Sequence, residues 1–166
     1  MVPAKVTNHL EKNKVKYEVV PHKTVFTVYD LAQTTKTKLN TIAKTLLVKA
    51  DQQYHLVVLP AQKRLNLAAV KKLTKAKSVV LAKEKDMATK FKMKPGAMTP
   101  FGSLHKVGVI VDRGLVKTEK VLMGAGSFTE SLRVKMKDYL KAEKPTIGSV
   151  SESAKSGKAG SGSAGK

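Results

Sequence analysis

The chain has 166 residues, 42% of them hydrophobic, and a net charge of +20 from 32 Lys+Arg against 12 Asp+Glu. That is enough apolar material for one core, so a wholly disordered chain is excluded, and no apolar run approaches the roughly 20 residues of a membrane span. Cysteine is absent, which removes disulfides, thiolate nucleophiles and thiolate metal sites together. Met1-Val2-Pro3-Ala4-Lys5 is no apolar signal region, so the expectation is a cytoplasmic chain.

In chain order, residues 3–13 read as a helix, with Pro3 in its first turn and Val6 and Leu10 on one face. Lys16 to Val20 reads as a strand closed by Pro21-His22, and Thr27 with Asp30 forms a capping-box-like pair before a short helix. Thr34 to Asn40 is polar and loop-like. Thr41 to Lys49 and Tyr54 to Leu59 read as an antiparallel hairpin around Asp51-Gln52-Gln53. Asn66 is placed to cap a helix, Ser78 to Leu81 is a short strand, and Lys83 to Phe91 is helical. A glycine-proline loop, Gly96-Ala97-Met98-Thr99-Pro100-Phe101-Gly102, precedes the nearly all-apolar Val107 to Asp112, the pattern of a strand buried on both faces. Arg113-Gly114 turns. Lys120 to Met123 and Ser131 to Val134 are further strands, separated by Gly124-Ala125-Gly126-Ser127, and Met136 to Ala142 is a final helix. Residues 151–166 contain only Ser, Glu, Ala, Lys and Gly, so a domain over 1–148 and a flexible basic tail over 149–166 are expected. The fold class is mixed α/β with a largely antiparallel sheet and surrounding helices.

Motifs exclude much chemistry. No Gly-x-Ser-x-Gly elbow and no Gly-x-x-x-x-Gly-Lys-[Ser/Thr] or Gly-x-Gly-x-x-Gly phosphate loop occurs. His9, His22, His55 and His105 stand at no zinc spacing, so neither a metal nor a cofactor is expected. His9 and His55 read as ordinary surface or strand residues; His22 and His105 follow turns from which a pocket is within reach. The charge is nearly all lysine, the arginines being Arg64, Arg113 and Arg133. Lysine suits phosphate contact, and scarce arginine argues against base-by-base reading. RNA is the partner this favours; a lysine-biased composition gives the same count, and no helix has the combined apolar and basic faces of a membrane binder. Lys44 lies among Ile42, Ala43, Leu46 and Leu47, where a cation needs water, an anion or a ligand. An edge-strand lysine that deters aggregation fits the same pattern. The glycine loop is likewise readable as a plain turn or as backbone N–H groups aimed at a ligand.

Taken together, Ala43-Lys44-Thr45-Leu46-Leu47 and Gly96-Ala97-Met98-Thr99-Pro100 resemble the YbaK/prolyl-tRNA synthetase-associated family of aminoacyl-tRNA editing deacylases. The resemblance runs from about Tyr17 to Leu140. Leu59-Pro60-Ala61, Leu65-Asn66-Leu67 and Gly124-Ala125-Gly126-Ser127 fall where family members carry similar segments. One departure is Phe128, where relatives often carry histidine. The resemblance implies trans-editing of tRNA mischarged with a small amino acid, with a synthetase as a further partner; a monomer is the default expectation. It gives catalytic roles to Lys44, Gly96 and Pro100. Ala97, Met98, Thr99, Phe101, Gly102, Gly126, Ser127 and His22 are expected against the substrate. Met98 and Phe101 are open to a core-packing reading. A non-catalytic RNA-binding module of the same fold is the alternative, and a basic nucleic-acid coat protein dependent on the tail is a third.

Overall fold

Alternation of apolar residues in the middle of the chain builds the structure around one sheet. In the computed structural model, which describes residues 1–153, the elements are as follows. Helix α1 is Ala4–Lys12, β1 is Tyr17–Pro21, α2 is Val28–Thr35, and a single 3-10 turn spans Leu39–Thr41. Then come β2 (Ala43–Ala50), β3 (Gln53–Pro60), β4 (Lys63–Leu65), α3 (Leu67–Thr74), β5 (Val79–Leu81) and α4 (Glu84–Phe91). After the glycine loop follow α5 (Gly102–His105), β6 (Gly108–Asp112), α6 (Arg113–Val116), β7 (Lys120–Gly124), β8 (Glu130–Lys135), α7 (Met136–Glu143), β9 (Thr146–Gly148) and β10 (Ser151–Ser153).

Five strands in the order β5-β2-β3-β6-β9 form the main sheet. The β2–β3 hairpin is antiparallel, whereas β6 runs parallel to both β3 and β9. Because successive side chains point to opposite faces, Leu47, Leu56, Val58, Val109 and Val111 enter one core with α1 and α7. Val48, Val57, Leu59 and Ile110 enter another, beneath Val70 of α3. The doubly buried strand expected from Val107 to Asp112 is β6. A second sheet, β1-β8-β7, is antiparallel throughout, and one bridge between Ile42 and Leu122 joins it to the start of β2. Thr27 and Asn66 cap α2 and α3 by accepting from the backbone N–H groups of Asp30 and Ala69, as the sequence predicts.

Three features depart from the sequence reading. Gly102–His105 and Arg113–Val116 form short helical turns instead of loop and turn. The residues given to the tail at 149–153 are ordered. Val150 is fully buried in the α3-side core, its N–H donates to Asp112 (2.9 Å), and its carbonyl accepts from Asn66 N–H (2.8 Å). Strand β10 then pairs antiparallel with β4, and Arg64 meets Glu152 at 2.9 Å. A tripeptide of serines and glutamate carries no hydrophobic signal; the backbone ladder and one ion pair hold it. The remainder of the expected tail, 154–166, lies outside the described residues. Finally, Lys36, Lys75, Lys92, Lys106 and Lys144 close α2, α3, α4, α5 and α7 in the left-handed conformation, with φ between 47° and 61°, where glycine is the residue without steric cost.

Candidate active site

Strand β2 is covered on its outer edge by β5 only from Val48 to Ala50, with one further bond from Ala82 N–H to the Leu47 carbonyl. Ahead of that point the edge opens into a cleft of about 760 Å³ lined by Ala43, Lys44, Thr45, Leu46 and Leu47. Facing β2 are the 25–31 segment with α2, Lys63 and Arg64 of β4, Leu81 to Met87, the glycine loop at Pro95, Gly96 and Met98, and Gly124, Ser127 and Ser131 from the second sheet. Most of the lining is apolar, with a small set of polar groups, the usual make-up of a small-molecule site.

Lys44 is half-buried in this wall, and its Nζ donates to the Lys63 carbonyl at 2.5 Å. Lys63 and Arg64, the latter paired with Glu152, line the cleft with it, and among the described residues the lining holds one carboxylate, Glu84. Gly96 lines the same cleft with φ +84°, and a Cβ there would lie 2.9 Å from the Phe26 carbonyl oxygen and 3.3 Å from the Phe128 ring. Only glycine suits that combination of angle and proximity. The backbone N–H groups of Gly96 and Met98 have no backbone acceptor among the described residues. Gly124 fixes the loop from behind: a Cβ on it would fall 1.9 Å from the Met98 carbonyl oxygen.

Thus Lys44, Gly96, Met98 and Ser127, all anticipated from sequence, line one cleft. The other anticipated residues are absent from the lining. Pro100 is buried, and its carbonyl accepts from the Tyr139 hydroxyl at 2.6 Å, so it anchors the loop to α7. Phe101, expected against the substrate, is instead a fully buried core ring packed edge-on to His9 and Tyr139. Gly102 is buried beside it, where a Cβ would clash with Val109. Ala97 and Thr99 are buried within the loop, and Gly126 turns with φ +81° against Pro3. His22 reaches the cleft indirectly: its Nε2 lies 2.9 Å from Oγ of the lining residue Ser131. Sequence reasoning missed Ser131, Lys63, Arg64 and the aromatic rim, Phe26 at 63% exposure and Tyr29 at 49%. An aromatic pair flanking a capping-box threonine, Phe26-Thr27-Val28-Tyr29, was the available signal for the rim.

No group of three or more metal-ligating side chains occurs among the described residues. No helix among them is long and apolar enough to cross a membrane.

Residues 22–142 match the family profile of the aminoacyl-tRNA editing domain. The chain belongs to that family. The resemblance read from Lys44 and the glycine loop is thereby borne out, and the mixed α/β fold is that of solved relatives. A prolyl-tRNA editing protein, ProX, of Acetoanaerobium sticklandii is 25% identical over 113 residues, which is 64% of this chain and 69% of that protein. Among solved structures, the hypothetical protein APE2540 superposes with a TM-score of 0.83 at 24% identity, covering 89% of this chain and 99% of its own. A candidate trans-editing enzyme for prolyl tRNA synthetase superposes with a TM-score of 0.77 at 20% identity, covering 89% and 95%. This editing domain is therefore an enzyme of the tRNA-editing class, and its cleft is the place to look for the chemistry.

Proposed function

We propose that this editing domain hydrolyses, in trans and in the cytoplasm, the ester joining a wrongly attached small amino acid to the 3′ end of tRNA. The observation that carries the reading is that Lys44 and the Gly96 turn, far apart in sequence, line one mostly apolar cleft. An aminoacyl ester is already activated, so positioning and electrostatic stabilisation supply much of the rate without a protein nucleophile. In this scheme the N–H groups of Gly96 and Met98 face the developing oxyanion. Lys44 holds the 3′ terminus by charge and hydrogen bonding. Pro100 keeps the loop in place through its bond to Tyr139. The volume accommodates an amino acid together with a terminal nucleoside. Selection against similar side chains at a synthetase is limited to about 1–3 kcal/mol per methylene, which is the need such a second sieve meets.

The relative named for prolyl-tRNA editing supports beginning with mischarged tRNA for proline, with alanine, serine, threonine and cysteine esters in the panel. Wild type should hydrolyse one of these selectively as a monomer, and Lys44→Ala should lower kcat/KM by at least about 10²-fold with the melting midpoint unchanged. Retained tRNA binding without hydrolysis of any ester would instead identify a non-catalytic RNA-binding module.

A further inference from the structure

Ser131 is buried on β8, opposite Gly124 of β7 and Val20 of β1, and lines the cleft beside Ser127 and Gly124. Its hydroxyl is engaged from behind. His22 Nε2 is 2.9 Å from Ser131 Oγ, and His22 Nδ1 is 2.8 Å from the Lys23 carbonyl oxygen. A carbonyl can only accept, so Nδ1 carries the hydrogen and Nε2 of the neutral ring is the acceptor. The Ser131 hydroxyl therefore donates to His22. Its oxygen retains lone pairs for a donor arriving from the cleft. On its other side His22 lines a separate polar depression with Lys23, Thr24, Asp30 and Gln33. The imidazole thus joins the closed face of the cleft to a surface hollow.

We propose that His22, acting through Ser131, receives the proton of the water that attacks the aminoacyl ester. This rests on the deacylase reading above. As the water oxygen bonds to the ester carbonyl carbon, its proton passes to Ser131 Oγ and the Ser131 proton passes to His22 Nε2. Collapse of the tetrahedral intermediate breaks the carbon–oxygen bond to the ribose. The departing ribose oxygen takes the proton back along the same path. The products are the free amino acid and tRNA with its terminal hydroxyl, and no external co-reactant is needed. Lys44, whose Nζ already donates to the Lys63 carbonyl, is suited to anchoring and not to this task. Ser131 is the residue that touches the water; His22 acts one bond removed.

Charged groups around the imidazole are Lys23 beside it, Asp30 of α2 across the depression, and Glu130 of β8. Glu130 is held by the Met1 ammonium at 3.4 Å. On the Ser131 side the cleft lining carries Lys44, Lys63, Arg64 and Glu84.

The test is single-turnover hydrolysis of the preferred aminoacyl-tRNA at one fixed pH, with uncatalysed hydrolysis subtracted, for wild type, Ser131→Ala, Ser131→Thr, His22→Gln and the double variant. Ser131→Ala and His22→Gln should each slow the step by about 10²-fold, and the pair should be no slower than either alone. Ser131→Thr should restore much of the rate lost in Ser131→Ala, because it returns a hydroxyl to the same place. Folded variants within about threefold of wild type would overturn the relay while leaving the deacylase reading in place. Multiplying losses in the double variant would do the same. A wild type inert toward the whole panel would overturn both. Should Ser131→Ala not fold, half-exposed His22 still supplies the decisive variant.

Discussion

At the scale of single residues, Gly96 makes the most direct demand on the chain. Replacing it by alanine puts a methyl 2.9 Å from the Phe26 carbonyl oxygen at a φ of +84°. The expected cost is about 1–3 kcal/mol of stability, with a displaced loop and a drop in kcat larger than the drop in tRNA affinity. Thermal melts and steady-state kinetics on Gly96→Ala read both; an unchanged kcat would remove the loop from the reaction. Lys44 and Gly96 were legible in the sequence because a charge inside an apolar strand and a glycine-proline turn are local patterns. Phe101 and Pro100 were not: consecutive residues of a turn face both cleft and core, and no periodicity separates the two sides. Ser131 was out of reach because its meaning depends on His22, which β1 and β8 bring to it across 109 positions of chain.

At the scale of elements, the strands and long helices follow from alternation and capping residues, and the C-terminal strands mark the limit of that reading. Val150 lies between a polar run and a glycine-rich one, so nothing nearby predicts that it closes the α3-side core. Ending the chain after Gly148 removes this buried valine, its hydrogen bonds with the Asp112 carboxylate and the Asn66 N–H, and β10. A loss of about 2–4 kcal/mol is expected, whereas ending it after Ser153 should leave the urea midpoint unchanged. Equal midpoints for the two truncations would mean that β10 is ornamental. The shorter chain should also bind substrate poorly, because β4, which carries Lys63 and Arg64 into the cleft, loses its partner strand.

Charge acts at the scale of the whole molecule. With +20 overall, affinity for tRNA should fall steeply with salt. Deleting 154–166, which holds Lys155, Lys158 and Lys166, should lower the log–log slope by at most about 3 if each lysine releases about one counterion. A slope unaffected by the deletion would mean that the tail takes no part. Acid acts on stability through two histidines. Burial holds the imidazoles of His55 and His105 below their ordinary range, with Lys5 adding to the effect at His105. The unfolded chain therefore binds more protons than the folded one as pH falls below about 6.5, so this contribution to stability is whole above that value and lost in acid. Urea midpoints should decline from pH 7.5 to 5.5, less so in His55→Gln; a flat profile would refute the assignment.

Five helices end on lysine where glycine would relieve the backbone. Each exchange to glycine at Lys36, Lys75, Lys92, Lys106 or Lys144 should gain a fraction of a kilocalorie and remove one positive charge. Heat tolerance and grip on a polyanion are therefore opposed at the same five codons. A lineage selected for warmth should change these caps before it alters the sheet, and its affinity for tRNA should weaken step by step as it does so.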